Sequence, residues 1–106
     1  MQRTYVQVDK NDVLFGQGSG PNRHHGNIVY NGCILAFQPV YKRSDIAAKK
    51  DLIDFIILLI DLYGGRFLKN EETPEGNIGY YVASDNDVHD KVSRALRGDR
   101  RRPCFF

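Results

Sequence analysis

Tryptophan is absent, methionine occurs once and cysteine only twice. Two cysteines, Cys33 and Cys104, do not make a disulfide framework, and their spacing to each other and to the three histidines does not match a zinc-binding pattern. No metal is therefore expected, and the cysteine usage points to a reducing, intracellular compartment. The opening residues, MQRTYVQVDKND, carry no apolar segment of the kind a secretory leader needs. The longest apolar run, residues 52–63, is too short to span a bilayer and is broken by Asp54 and Asp61, so no membrane span is expected. A glycine loop is present, but no Lys-Ser or Lys-Thr pair completes it as a phosphate-binding loop, and no dinucleotide fingerprint opens a helix. No pattern pairs a nucleophile with a base or two carboxylates in the manner of an active site, so neither an enzyme nor a cofactor is expected. Excess charge is lacking too, since the net charge is only +2.

The 106 residues suffice for one domain with one modest core, and the hydrophobic share of 42% is too high for a disordered chain. A single domain spanning 1–106 is expected, with its folded core over about 4–97 and a basic, flexible tail over 98–106. Charge is segregated along it. Residues 70–90 hold six acids and no Lys or Arg, whereas residues 91–102 hold Lys91, Arg94, Arg97, Arg100, Arg101 and Arg102 against the single acid Asp99.

Hydrophobic periodicity and punctuation divide the chain into elements. Residues 4–8 alternate and are rich in β-formers, so a short strand is expected there. Residues 9–27 hold four glycines and Pro21 and are expected to form a loop, interrupted only by the apolar triplet Val13, Leu14, Phe15. A first helix is predicted over 27–38, with Asn27 as N-cap and Pro39 as terminator. Gly32 weakens it by about 1 kcal/mol relative to alanine. Ser44 is the expected N-cap of a second helix over 45–63, whose later half is apolar almost all round. Such a helix is either the buried centre of a small core or a docking face for another chain. Gly64 and Gly65 end it. Strands follow at 66–69 and 78–83, joined by a polar loop, and place one of Tyr80 and Tyr81 on each face of the sheet, one of them in the core. Ser84 opens a last helix in which Val88, Val92, Ala95 and Leu96 form one apolar stripe, and Gly98 stops it. The sum is an α+β fold: glycine-rich loop, two helices, β-hairpin and C-terminal helix.

The loop Asp12–Asn27, with D-V-L-F-G-Q-G followed by H-H-G-N, resembles the signature of a domain of unknown function common in diatom and other stramenopile proteins. The later strings Gly64–Leu68 (G-G-R-F-L) and Lys91–Arg97 (K-V-S-R-A-L-R) are similar to that family's later motifs, in the same order. Gln17 stands where the family pattern has arginine, and His25 where it often has proline. The resemblance implies a stand-alone regulatory module without a known enzymatic activity.

Two constellations carry candidate chemistry. The loop feeding the first helix (Gly16, Gln17, Gly18, Arg23, His24, His25, Asn27) offers backbone close approach and unpaired N–H groups for an anion. It reads equally as a structural cap in which Asp12 and Asn27 bond the loop's own backbone. On the last helix, Lys91, Arg94 and Arg97 share one face and Arg100, Arg101 and Arg102 extend it, a pattern that suits phosphates and also suits a solvated helix face. Arg66 and Lys69 lie opposite Tyr80 and Tyr81 on the hairpin, where bases stack in some single-strand binders. The expected function is a nucleic-acid-binding module, double-stranded DNA first, in the nucleus. A protein-docking or homodimerising module using the apolar second helix is the alternative.

Overall fold

The computed structural model describes residues 3–16, 21 and 23–98. In chain order the elements are β1 (Val13–Leu14), α1 (His25–Arg43), α2 (Ile46–Leu62), β2 (Phe67–Glu72), β3 (Ile78–Val82) and α3 (Asp85–Arg97). The α+β expectation holds: three helices pack beside a three-stranded sheet ordered β1-β2-β3. β2 and β3 form the anticipated antiparallel hairpin, with Leu68 opposite Val82 and Glu72 opposite Ile78.

β1 is the departure. The apolar triplet inside the glycine loop is a parallel strand, with Val13 beside Phe67 and Leu14 beside Leu68. Val13 N–H donates to Arg66 O at 2.7 Å and Phe15 N–H to Leu68 O at 2.8 Å. Residues 4–8, in contrast, contribute one isolated bridge, Val6 to Tyr80. Two residues suffice for β1 because both are buried and the long crossover through α1 and α2 returns the chain to their side.

α1 starts before and ends well beyond its expected limits. Its N-cap is His24, which makes no side-chain cap bond, and the helix continues through Pro39. Proline removes one N–H, but Leu35 and Pro39 both lie on the exposed side, where a freed carbonyl meets water. Buried Ile34 and Tyr41 hold the helix on either side of that gap. Asn27 is therefore not a cap but a buried residue inside the helix. The N-cap of α2 is Asp45 rather than Ser44. The Asp45 carboxylate accepts from Ala48 N–H at 2.8 Å, while the Ser44 hydroxyl donates back to Val40 O at 2.7 Å. α3 matches its prediction: Ser84 accepts from Asp87 N–H, Asp85 and Asp87 occupy the first turn, Arg94 and Arg97 the last, and Gly98 caps it.

The core joins Val13 and Phe67 of the sheet to Tyr30, Ile34 and Tyr41 of α1, Ile53, Ile56 and Ile60 of α2, and Val88, Val92 and Leu96 of α3. Tyr30 and Phe67 meet edge to face at 5.7 Å. Only one side of α2 is buried. Phe55, Leu58 and Leu62 remain exposed, so the all-round apolar sequence does not make a central helix. Neither Tyr80 nor Tyr81 enters the core. Both are half-buried, and the Arg3 guanidinium lies 4.0 Å from the Tyr81 ring centre.

Candidate functional site

The start of the glycine loop is held by two buried polar side chains. Asp12 is fully buried. Its carboxylate accepts from Asp9 N–H at 2.7 Å, from Arg66 N–H at 2.9 Å, and from the Arg66 guanidinium at 2.8 and 3.2 Å. Burial alone would raise the Asp12 pKa. The hydrogen bonds from Arg66 and from the two backbone amides outweigh it, and the net shift is downward. The same pair raises Arg66. Asn27, on α1, treats β1 as a strand neighbour would: its amide donates to Leu14 O at 2.8 Å and its carbonyl accepts from Leu14 N–H at 2.7 Å. One amide side chain thus satisfies both backbone groups on the outer edge of β1. Gly26 brings α1 close enough for this, since a Cβ there would stand 2.0 Å from Asp12 O.

These contacts decide several candidate residues. Arg66 is committed to Asp12 and to Gln7 O, and Asn27 to Leu14, so both are structural. A buried carboxylate and a strand edge thus claim their hydrogen-bonding groups, while the Arg66 side chain stays 42% exposed. His24 donates to Asp9 O at 3.0 Å, and His25 shares a 2.7 Å hydrogen bond with the Tyr63 hydroxyl. The two histidines therefore bond different parts of the fold. Arg23 is exposed. Gln17, Gly18, Arg100, Arg101 and Arg102 lie outside the described residues, as does the expected flexible tail beyond Gly98.

What the fold does bring together is the end of β1 and the basic side of α3. Phe15, half-buried just before Gly16, has the Lys91 ammonium 4.8 Å and the Lys69 ammonium 5.6 Å from its ring centre. Lys91 also lies 5.3 Å from the Tyr30 ring. Lys69 reaches Asp87 at 3.1 Å, Arg94 reaches Asp90 at 3.1 Å, and Arg97 donates to Ser93 at 2.9 Å. The Arg94–Asp90 pair is exposed and so is worth little, on the order of 0–1 kcal/mol, whereas the Lys69–Asp87 pair is half-buried. Arg94 and Arg97 continue the strip along the helix from Lys91. Phe15 escaped attention in the sequence because it belongs to an apolar triplet, and only β1 pairing turns its ring toward α3.

A second feature is a shallow cavity of about 340 Å³ between α2, β3 and α3, floored by Ile57, Phe67 and Val88. At its rim His89 pairs with Asp54 at 3.0 Å. Neither His24 nor His25 lines it. Among the described residues no group of three or more His, Cys, Asp or Glu is placed to hold a metal, and no helix is long and apolar enough to cross a membrane. Cys33 is a free, half-buried thiol.

No curated protein and no solved structure matches the chain. One family model does, and its span over residues 12–98 runs from the buried Asp12 to the Gly98 cap of α3, taking in every strand and helix described above. The chain therefore belongs to the family described as Domain of unknown function (DUF6824).

Proposed function

We propose that this domain binds nucleic acid, double-stranded DNA first, along the strip Phe15, Lys69, Lys91, Arg94 and Arg97, and that it serves as a regulatory module in the nucleus. The supporting observation is the meeting of two ammonium groups over the Phe15 ring where β1 passes into the glycine-rich loop. The cations sit on a rigid hairpin and a capped helix, so little ordering entropy opposes their use. From Lys91 to Arg97 the helix rises about 9 Å, a length over which successive backbone phosphates are within reach of its side chains. Asp87 and Asp90 must release Lys69 and Arg94 for this; the exposed Arg94 pair exchanges at small cost and the half-buried Lys69 pair at a larger one. The arrangement favours phosphate contact over base reading, so weak sequence preference is expected.

Fluorescence anisotropy with a labelled random duplex across a salt series tests the reading. Four phosphate contacts give a slope of log affinity against log salt of about −3.6. Lys69→Ala with Lys91→Ala lowers its magnitude by about 2, and Arg94→Ala with Arg97→Ala does the same. Absence of binding at low salt, or binding indifferent to both double variants, refutes it.

A further inference from the structure

Residues 3–8 precede the family span and every residue of the hydrophobic core, which begins at Val13. They are nevertheless seated on the outer edge of β3. Val6 N–H donates to Tyr80 O at 2.8 Å, the one bridge this segment makes. The Tyr5 hydroxyl donates to Glu71 Oε2 at 2.6 Å and Arg3 Nε donates to Glu71 Oε1 at 2.9 Å, so both oxygens of one carboxylate are taken. These bonds, that from Tyr5 first, hold Glu71 below the usual carboxylate range. The Arg3 guanidinium also lies 4.0 Å from the Tyr81 ring centre.

Gly79 makes the seat. It stands opposite Glu71 in the hairpin, and a Cβ there would lie 2.6 Å from Tyr5 Cδ1 and 2.9 Å from Thr73 Cγ2. Its φ is outside the left-handed region, so the backbone conformation does not call for glycine. Glycine inside a strand weakens it and marks a close approach, and what approaches here is the Tyr5 ring. The segment fills this seat only in part. A cavity of about 280 Å³ remains beside β3, lined by Arg3, Thr4, Val6, Tyr81 and Val82. The Val6–Tyr80 register puts Thr4 opposite Val82, and both are exposed. Because Tyr80 turns its carbonyl outward to Val6, Ile78 and Val82, two residues to either side, turn their backbone groups the same way. Segment 3–8 bridges neither, so most of this strand edge is open.

We infer that the β3 edge is a docking site for an extended segment of a partner protein that carries arginine two residues before tyrosine, and that residues 3–8 are its occupant in cis. The tyrosine ring lies over Gly79 with its hydroxyl on Glu71, and the arginine stacks on Tyr81. The backbone pairs with Ile78, Tyr80 and Val82 as an added strand, where the cis segment supplies one bond. The residue between arginine and tyrosine takes the place of Thr4, and the cavity there suits a larger apolar side chain such as leucine. A tethered segment acts at an effective concentration in about the millimolar range, so the cis occupant sets the threshold a partner must exceed. No residue of this seat belongs to the Phe15–Lys91 strip, so the inference does not depend on the nucleic-acid reading.

Full-length Arg3→Ala/Tyr5→Ala vacates the seat. Both side chains are exposed and outside the core, so far-UV circular dichroism should match the wild type. A fluorescein-labelled peptide with the sequence of residues 3–8, RTYVQV, should bind this variant saturably and roughly tenfold or more tighter than it binds the wild type, whose own segment competes. Thr4→Leu in the peptide should tighten binding, and Tyr5→Ala in the peptide should remove it. Gly79→Ala added to the vacated variant should also remove it. In the wild type, which needs no variant to fold, excess Thr4→Leu peptide should raise amide hydrogen-exchange protection at Ile78 and Val82. No binding to the vacated chain at about 1 mM peptide, binding indifferent to the peptide tyrosine, or unchanged protection at both amides overturns the inference.

Discussion

Asp12→Asn isolates the charge that anchors the glycine loop. The substitution keeps the shape and one acceptor oxygen but places an amide where Asp12 now faces only donors: Asp9 N–H, Arg66 N–H and two guanidinium N–H groups. Each carboxylate oxygen accepts from two donors, so two donors are left opposing the new NH2, and Arg66 loses its counter-charge. Breaking a buried pair typically costs 3–5 kcal/mol, and because the Arg66 side chain is 42% exposed, the lower end applies, about 3 kcal/mol. In a domain of ordinary stability that is a large fraction of the total. The acid limb gives an independent check. The Asp12 pKa is lowered by folding, so its contribution is fully present above the ordinary carboxylate pKa of about 4 and is lost as pH falls through the folded value. The gap between wild type and Asp12→Asn, read from urea unfolding at pH 7 and at successively lower pH, should be widest at pH 7 and shrink below about pH 4. A gap under about 1 kcal/mol at pH 7, or one that is constant into acid, refutes the assignment of Asp12 as a charged anchor.

Asn27→Ala should cost about 3 kcal/mol in urea unfolding, because it strands both the N–H and the carbonyl of buried Leu14; a loss below about 1 kcal/mol would show that β1 does not need its side-chain partner. Gly26→Ala should abolish cooperative thermal unfolding or soluble expression, since its Cβ would overlap the Asp12 carbonyl, whereas Gly32→Ala in the same helix should be neutral or stabilising. Equal melting temperatures for those two variants would refute the close approach of α1 to the loop.

The elements legible in the sequence are those whose determinants are contiguous. α3 was readable from Ser84, three residues before Asp87, and from Val88, Val92 and Leu96 on one stripe, because a cap and an i, i+4 face are complete within the helix itself. The β2–β3 hairpin was readable for the same reason, from two β-rich runs around a loop with Pro74 and Gly76. Asn27 shows where local reasoning stops. As a polar residue after a glycine loop it is a good N-cap by type, and the fold instead uses its amide as a strand edge for Leu14.

Composition and periodicity thus determined the α+β class, the hairpin, the last helix and the basic face along it. The tertiary structure decided that Val13 and Leu14 are a strand, that Arg66 serves Asp12, that Phe15 lies beneath Lys91 and Lys69, and which side of α2 stays in solvent. Asp12 and Arg66 are 54 residues apart. Whether they meet depends on where two helices return the chain, and that path is set by the joint burial of residues from every element rather than by any one segment.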